Sequence, residues 1–180
     1  MPALSIRAFA PPDEDAVVAL WANCELTRPW NDPRRDIQRK LTTQAELFLV
    51  GESGGVLVAS AMAGYDGHRG WVNYLAVAPA CRGQGYGRQM MRAVEQRLVE
   101  LGCPKLNLQV RAENPAALAF YQRLGYQVDA AVSLGKRLIA DDCAASPNRH
   151  VTARPSRPRC APCPRARPPV PTAHHPHAHP

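Results

Sequence analysis

The segment Arg82-Gly83-Gln84-Gly85-Tyr86-Gly87 decides how this chain folds, because it joins an apolar run to a long amphipathic pattern. The apolar run, residues 75–77 followed by Pro79, indicates the end of a strand. Three glycines at alternate positions let the backbone turn tightly, and the helix that follows places the positive end of its dipole at the turn. With an arginine at its start, such a loop predicts a site for a phosphate or pyrophosphate group.

Two common glycine-rich phosphate sites do not match the residues around this loop. A P-loop ends in Gly-Lys-Ser/Thr, but Gly87 is followed by Arg88 and Gln89. A dinucleotide-binding fold needs G-x-G-x-x-G and an acidic residue about twenty positions further on. Here the glycines run G-x-G-x-G, and the next apolar run, residues 106–110, ends without Asp or Glu. ATP and nicotinamide cofactors are therefore disfavoured as ligands.

The spacing Arg82-x-x-Gly85-x-Gly87 resembles the acetyl-CoA pyrophosphate signature of the GNAT N-acetyltransferase superfamily. Further along, the segment NPAALAFYQRLGY at 114–126 resembles the N-x-x-A-x-x-x-Y-x-x-x-G-[FY] motif of the same superfamily. Both motifs in this order make the resemblance specific, and it spans residues 1 to about 142. Segments 28–33, 64–70 and 133–138 further resemble a small YpeA-like bacterial subgroup.

The apolar periodicity predicts the element order β-α-α-β-β-β-α-β-α-β. Helices are predicted after Asp13, at 36–42, after Gly87 and from the cap Asn114 to Gly125. Strands are predicted at 4–9, 47–51, 56–63, 71–77 and 106–110, with one or two more across 126–138. This order predicts a mixed α/β (α+β) architecture. The resemblance implies a GNAT-like acyltransferase fold, a central and mostly antiparallel sheet flanked by about four helices.

Composition divides the chain into a domain, residues 1–142, and a tail, residues 143–180. The tail holds ten prolines, six arginines and five histidines, and no acidic residue. It cannot bury enough apolar surface to offset the entropy of ordering, so it is predicted to be disordered. Its arginines supply most of the net charge of +7, which leaves the domain nearly neutral. We therefore expect no specific nucleic-acid partner, and a weak association of nucleic acid with the tail stays open.

Six cysteines show no disulfide framework, and the chain has neither a secretory signal nor an apolar run near eighteen residues. These features predict a cytoplasmic chain with reduced thiols and no membrane partner. Cys160, Cys163 and the tail histidines are candidates only for adventitious zinc, so no specific metal site is expected. A homodimer stays possible.

The resemblance implies acetyl-CoA as the acyl donor, held by the glycine loop and the strand before it. In the family an amide N–H at the end of that strand faces the thioester carbonyl. Asn114 is compatible both with a contact to the cofactor and with a plain helix cap. The cofactor-binding candidates are Leu75, Ala76, Val77, Arg82, Gly83, Gln84, Gly85, Tyr86, Gly87 and Asn114.

Two residues are the catalytic candidates. Tyr121 is predicted to be the general acid that protonates the leaving thiolate, since a phenol with a pKa of about 10 is not far from a thiol near 8.5. The family often carries a carboxylate just before the position of Leu75, but this chain has Asn73 and Tyr74 there. His68, whose side-chain type titrates near neutral pH, is therefore the candidate base. The carboxylates Asp66, Asp32 and Glu25 are its rivals.

Acceptor binding is assigned by the resemblance to the segment after the first helix and to the loop at 65–71. Its candidates are Arg28, Trp30, Asn31, Asp32, Tyr65 and Asp66. The predicted function is acetyl transfer from acetyl-CoA to a primary amine of a small molecule or peptide, by direct attack. Two alternatives stay open: a non-catalytic acyl-CoA binding or sensing module, and a nucleic-acid-associated protein that acts through the arginine-containing tail.

Overall fold

A computed structural model describes residues 3–141, which form four helices and five strands. The bounds in chain order are β1 (Ser5–Ala8), α1 (Glu14–Asn23), α2 (Pro33–Leu41), β2 (Phe48–Ser53), β3 (Val56–Tyr65), β4 (Gly70–Val77), α3 (Tyr86–Glu100), β5 (Leu106–Leu108) and α4 (Pro115–Arg123). Short 3-10 turns precede α1, β2 and α3. The mixed α/β class and the predicted element order are confirmed up to α4.

The strands form one sheet in the order β1-β2-β3-β4-β5. The first three pairings are antiparallel, and β4 pairs with β5 in parallel. The hairpin between β2 and β3 turns at Gly54 and Gly55, whose φ angles of 60° and 78° suit a tight hairpin turn. The mostly antiparallel sheet is therefore confirmed.

Each face of the sheet carries its own apolar cluster. On one face, α3 packs Met90, Met91, Val94 and Leu98, which repeat at helical spacing, against alternate residues of β2 and β3. On the other face, α1 and α2 pack Val17, Leu20, Trp21 and Ile37 against Phe48 and Val50 of β2 and Met62 of β3. Because successive strand residues point to opposite faces, the same two strands serve both clusters. The sheet is thus packed on both faces, and it fixes the positions of the loops that follow its strands.

Helix α2 begins at Pro33, three residues before the predicted start. The reason is a strong cap: the Asp32 carboxylate accepts hydrogen bonds from the backbone N–H groups of Arg34 and Arg35, at 2.9 and 3.3 Å. Pro33 occupies the first helical position, where its missing N–H costs nothing. Asp32 therefore has a structural function.

The strand or strands predicted across 126–138 are absent from the described structure. Apolar residues recur there, but Val128, Val132, Leu134 and Leu138 are 73–92% exposed. A strand needs a backbone partner, and β5 ends after three residues. The segment is attached through side chains instead, by the ion pair of Lys105 with Asp129 and by two hydrogen bonds, Gln109 to Ser133 and Arg137 to Asn31.

The predicted tail, residues 143–180, lies outside the described residues, as do Cys160 and Cys163. Among residues 3–141, no helix combines the length and apolar character that a membrane span requires. Within the same residues, no three His, Cys, Asp or Glu side chains are grouped as metal ligands would be.

Gly87 allows the first turn of α3 to lie against α4. A Cβ at this position would be 3.1 Å from Cζ and 3.3 Å from Cε2 of Phe120. We expect Gly87→Leu to lower the free energy of unfolding by about 1–3 kcal/mol, because the larger side chain overpacks this contact. Urea unfolding measures the change. Gln89→Leu, on the exposed side of the same helix, is the control and should change stability by less than about 0.5 kcal/mol; equal stability of the two variants would contradict the packing role.

Candidate functional site

Strand β4 carries a β-bulge near its C-terminal end. Ser60 pairs with Ala76 and Met62 pairs with Asn73, so Tyr74 and Leu75 lie opposite the single residue Ala61. Tyr74 has a φ of 51°, in the left-handed region that bulky residues avoid. The bulge leaves part of the β4 backbone outside the ladder with β3.

Three contacts hold Tyr74 in this strained conformation. Its ring stacks on the ring of Trp21, with centroids 4.0 Å apart and an interplanar angle of 14°. Its hydroxyl donates to Oδ2 of Asp36 at 2.7 Å. Its carbonyl accepts a hydrogen bond from Oγ of Ser60 at 3.2 Å. The Ser60 hydroxyl oxygen in turn accepts a hydrogen bond from Nε1 of Trp21 at 2.9 Å. Such strain costs about 1–3 kcal/mol and is retained where the surroundings enforce it, often at functional sites.

Beside the bulge, β4 separates from β5. The two strands pair only from Gly70 to Val72, and the rest of β4 has no partner on that side among the described residues. A cavity of about 1380 Å³ lies here, lined by the middle of β4, by β5, by α4 and by the loop between α1 and α2. The aromatic residues Trp30, Trp71, Tyr74, Tyr121 and Tyr126 are part of its wall. The separation opens a space in which β4 backbone groups can meet a ligand.

Tyr121 lies on α4 and lines this cavity. Its ring packs edge-on against Phe120 and Tyr126, with centroids 5.0 and 5.7 Å away. Burial raises the pKa of its phenol to about 12. No hydrogen bond to its hydroxyl is found among residues 3–141. The phenol is thus protonated at neutral pH and free to donate a hydrogen bond into the cavity.

Asp36 is the site carboxylate that sequence reasoning missed. It lies in the first turn of α2, lines the cavity and accepts the hydrogen bond of the Tyr74 hydroxyl. Its other oxygen accepts from Arg39 at 3.2 Å. Burial, followed by this contact with Asp36, raises the pKa of Tyr74 to about 12, so the phenol stays neutral and keeps donating. No motif connects the two residues, which are 38 positions apart in the chain.

The glycine loop has the geometry of an anion site. Gly83 and Gly85 have φ angles of 77° and 79°, and a Cβ at either would meet no atom within 4 Å. Gly85 is the N-cap of the 15-residue helix α3, whose first turn contains no acidic residue. The first hydrogen bond of the helix runs from Gln89 N–H to Gly85 O, so the N–H groups of Gly87 and Arg88 have no carbonyl within the helix. This arrangement fits a pyrophosphate group.

The remaining cofactor candidates lie around this loop. Leu75, Ala76 and Val77 run from the bulge to the end of β4. Among residues 3–141, the side chains of Arg82 and Gln84 make only long hydrogen bonds of 3.4 Å, to the carbonyls of residues 77 and 80. Tyr86 is buried, and its hydroxyl is 3.0 Å from Oγ of Ser53, so its ring points away from the loop. The Asn114 side chain caps α4 by accepting from the N–H of residue 117 at 3.0 Å.

Three candidates cluster in the turn at the other end of β4. The Asp66 carboxylate accepts hydrogen bonds from the backbone N–H groups of Arg69 and His68, which lowers its pKa. The backbone of Tyr65 is bonded to the side chain of Gln44. His68, Asp66 and Tyr65 do not line the cavity, and the five residues of β4 from the turn to the bulge span about 16 Å.

Three of the acceptor candidates, Arg28, Trp30 and Asn31, line the cavity beside Asp36. The structure therefore brings together Tyr121, Tyr74, Asp36 and the loop between α1 and α2. It does not bring Asp32 or Glu25 into the cavity wall. Asp32 is engaged as the cap of α2 and in an ion pair with Arg35.

Comparisons with known proteins show the family and the fold of the chain. Residues 16–126 match the model of the Acetyltransferase (GNAT) family. The chain is 48% identical over 138 residues to an acetyltransferase of Yersinia enterocolitica. This alignment covers 77% of this chain and 98% of that protein. Its fold is similar to Ard1 from Thermoplasma volcanium, with a TM-score of 0.65, 26% identity and coverage of 71% of this chain and 85% of that one.

A second solved structure shares the fold at lower identity. The protein AAC(6′)-Iy, in complex with the bisubstrate analogue CoA-S-monomethyl-acetylneamine, aligns with a TM-score of 0.63 and 18% identity, over 75% of this chain and 99% of that one. Acetyl-CoA is the acyl donor of the GNAT family and an amine is the acceptor. The chain belongs to the GNAT acetyltransferase family and is an N-acetyltransferase.

Proposed function

We propose that the chain transfers the acetyl group to a primary amine of a small molecule or peptide by direct attack, in the cavity beside the β4 bulge. The observation that carries this proposal is Tyr74, whose strained backbone is held by Trp21, Ser60 and Asp36 next to the opening between β4 and β5. Strained residues that are held by their surroundings cluster at active sites and ligand-binding sites, which supports a pre-organised reaction site here.

Acetyl-CoA supplies an acyl group activated as a thioester. We assign its pyrophosphate to Gly83, Gly85 and the N-terminus of α3, because dipole, backbone donors and the side chain of Arg82 all favour an anion there. The unpaired part of β4 offers backbone groups to the pantetheine arm. We assign the donor to the thioester oxygen, where negative charge develops during attack, to a backbone N–H among residues 75–77 that faces away from β3.

The general base that we propose is Asp36, acting on the amine directly or through the Tyr74 hydroxyl. Asp36 lines the cavity, whereas His68 does not and is separated from the bulge by the five residues 70–74 of β4, about 16 Å. The Tyr74 phenol, neutral because of its raised pKa, keeps one Asp36 oxygen oriented by a 2.7 Å hydrogen bond. A carboxylate so oriented can take a proton as nitrogen bonds to carbon.

Tyr121 is the proposed donor to the departing thiolate, since its hydroxyl is protonated, unpaired among residues 3–141 and in the cavity wall. A covalent acetyl-enzyme is disfavoured by the positions of the described cysteines. Cys24, Cys81 and Cys103 do not line the cavity, and the thiol of Cys24 donates to the carbonyl of residue 77 at 3.3 Å.

We expect Asp36→Asn to lower kcat by about 10²-fold at neutral pH, the low end of the range for a general base. The amide keeps a hydrogen-bond acceptor for Tyr74 but cannot take the proton. Above the pKa of the acceptor, the amine arrives already neutral, so the defect should shrink as pH rises. Thiol release at saturating substrates from pH 6 to 10 measures this.

Asp15→Asn is the matched control for charge, since Asp15 pairs with Arg34 on the exposed side of α1. It should leave kcat unchanged at every pH. An Asp36→Asn defect that is the same at pH 6 and pH 10 would show that Asp36 only positions Tyr74.

A single-turnover experiment tests the proposed reaction. Enzyme in excess over acetyl-CoA should release no thiol until an amine is added, and should then form thiol and acetylated amine together. A burst of thiol without amine would indicate an acetyl-enzyme. Tight binding of acetyl-CoA without release for any of a panel of amino acids, polyamines, aminoglycosides and peptides would favour the sensing module.

A further inference from the structure

The charges that line the cavity do not balance. Its two carboxylates both have cationic partners: Asp36 lies 3.2 Å from Arg39, and Asp129 lies 2.6 Å from Lys105. Among the described residues, the wall contains three cations, Arg28, Lys105 and Arg111, whereas Arg39 lies outside it. Arg28 and Arg111 have no carboxylate within 4 Å among residues 3–141. The cavity therefore carries a surplus of positive charge.

Arg28 is held in place without being neutralised. Its Nη1 donates to the carbonyls of Glu25 and Thr27, both at 2.7 Å. Its backbone also forms a bridge with Asn31, which closes the loop. The Nε and Nη2 groups have no partner among the described residues. A guanidinium that is fixed by backbone contacts and keeps unpaired N–H donors is suited to bind a carboxylate or phosphate through two parallel hydrogen bonds.

The surroundings of Arg28 support an anionic ligand. Asn31, which lines the cavity, accepts a hydrogen bond from Nη2 of Arg137 at 3.1 Å, which holds the Asn31 side chain in place. Trp30, next to Arg28 in the chain, is 52% exposed and offers an apolar face. The wall also contains Asp36, one of the two carboxylates that line the cavity among the described residues. Anionic and ammonium groups of one ligand thus have separate partners.

We propose that the acceptor is an amine that also carries an anionic group, a carboxylate or a phosphate, which Arg28 binds while the amine faces Asp36. This inference rests on the proposed function and names its substrate class. Amino acids and acidic peptides have this chemistry, as do phosphorylated amines. Polycationic amines would meet a surplus of like charge and are expected to be poor acceptors.

Matched pairs of amines test the inference. Each pair differs only in charge: an amino acid against its carboxamide, and an aminoalkyl phosphate against the amino alcohol. We expect kcat/KM for thiol release to be at least about tenfold higher for the anionic member of one pair, since hydrogen bonds to a charged group are the strong ones. The pair with the larger ratio of kcat/KM, anionic member to neutral member, shows whether the site prefers a carboxylate or a phosphate.

The variant Arg28→Gln should raise KM for the anionic acceptor about 10- to 100-fold and change kcat little, because it removes binding and not chemistry. The KM values for its neutral partner and for acetyl-CoA should stay the same. Arg97→Gln is the control, since Arg97 also donates to a backbone carbonyl, of Glu46 at 2.8 Å, but lies on α3 outside the cavity wall. It should behave as the wild type.

Two results would overturn the inference: equal or higher kcat/KM for neutral or polycationic amines, or an Arg28→Gln defect in KM for acetyl-CoA, which would assign Arg28 to the donor. Calorimetry with the same amine pairs separates the inference from the proposed function. Selective, Arg28-dependent binding without thiol release would count against catalysis alone. Thiol release without any charge preference would count against the substrate class alone.

Discussion

Tyr121→Phe is expected to lower kcat by about 10²-fold while leaving acetyl-CoA affinity and the melting temperature unchanged. General acids contribute about 10² to 10⁴, and two features place this one at the low end. A thiolate is already a tolerable leaving group, and burial raises the pKa of Tyr121 to about 12, well above a thiol near 8.5. The edge-on contacts of the ring with Phe120 and Tyr126 survive the substitution.

The pH profile of this variant is also predicted. Since the pKa of Tyr121 is about 12, the phenol stays protonated between pH 6 and 10, and the ratio of wild-type to variant rates should be flat over that range. Stopped-flow thiol release at saturating amine measures the ratio. A variant rate within about twofold of the wild type would reassign Tyr121 to packing and make water the proton donor.

Gly85→Asp is expected to abolish acetyl-CoA binding without unfolding the chain. Aspartate tolerates the left-handed conformation of Gly85 better than most residues, and its carboxylate at the N-terminus of α3 is favourable for the helix. The same carboxylate would occupy the N–H groups assigned to the pyrophosphate and repel its charge. We expect the Kd for acetyl-CoA to rise by more than about 10²-fold, because repulsion between the carboxylate and the pyrophosphate replaces a charge-assisted hydrogen bond.

Gly85→Asn is the matched control, with the same size and backbone tolerance but no charge. It should weaken binding far less than Gly85→Asp, and the difference should shrink in high salt. Calorimetry with acetyl-CoA measures both. Equal affinities for the two variants and the wild type, with intact melting curves, would rule out the loop as the pyrophosphate site. Gly85 is a cleaner position for this test than Gly87, where any side chain first meets Phe120.

Local patterns explain why much of the fold could be predicted. The stripe of Met90, Met91, Val94 and Leu98 repeats at helical spacing, and Asn114 and Gly125 bound α4 by cap chemistry that acts over three or four residues. The prediction failed at 126–138, because alternation of apolar residues identifies strand propensity but not the partner that a ladder needs. Strand formation there depends on β5, which ends at Leu108.

The candidate site was harder to predict, because its central contacts are long-range. The bulge residue with a positive φ is Tyr74, and because it is not a glycine the sequence gives no sign of this conformation. Its geometry depends on Trp21 from α1 and Asp36 from α2, which come to β4 only when both helices pack on the sheet. The residues near Leu75 in the sequence therefore predict His68 as the base, while the carboxylate of Asp36, from another element, lines the cavity.

The most direct test of the account is the stoichiometry of thiol and acetylated amine for the full chain with acetyl-CoA and an amino acid panel. Free thiol and product, the latter identified by mass spectrometry, should form in a one-to-one ratio, only when amine is present, and about 10²-fold more slowly in Asp36→Asn at neutral pH. Thiol release that is independent of amine, or an Asp36→Asn variant as fast as the wild type, would contradict direct attack at the β4 bulge.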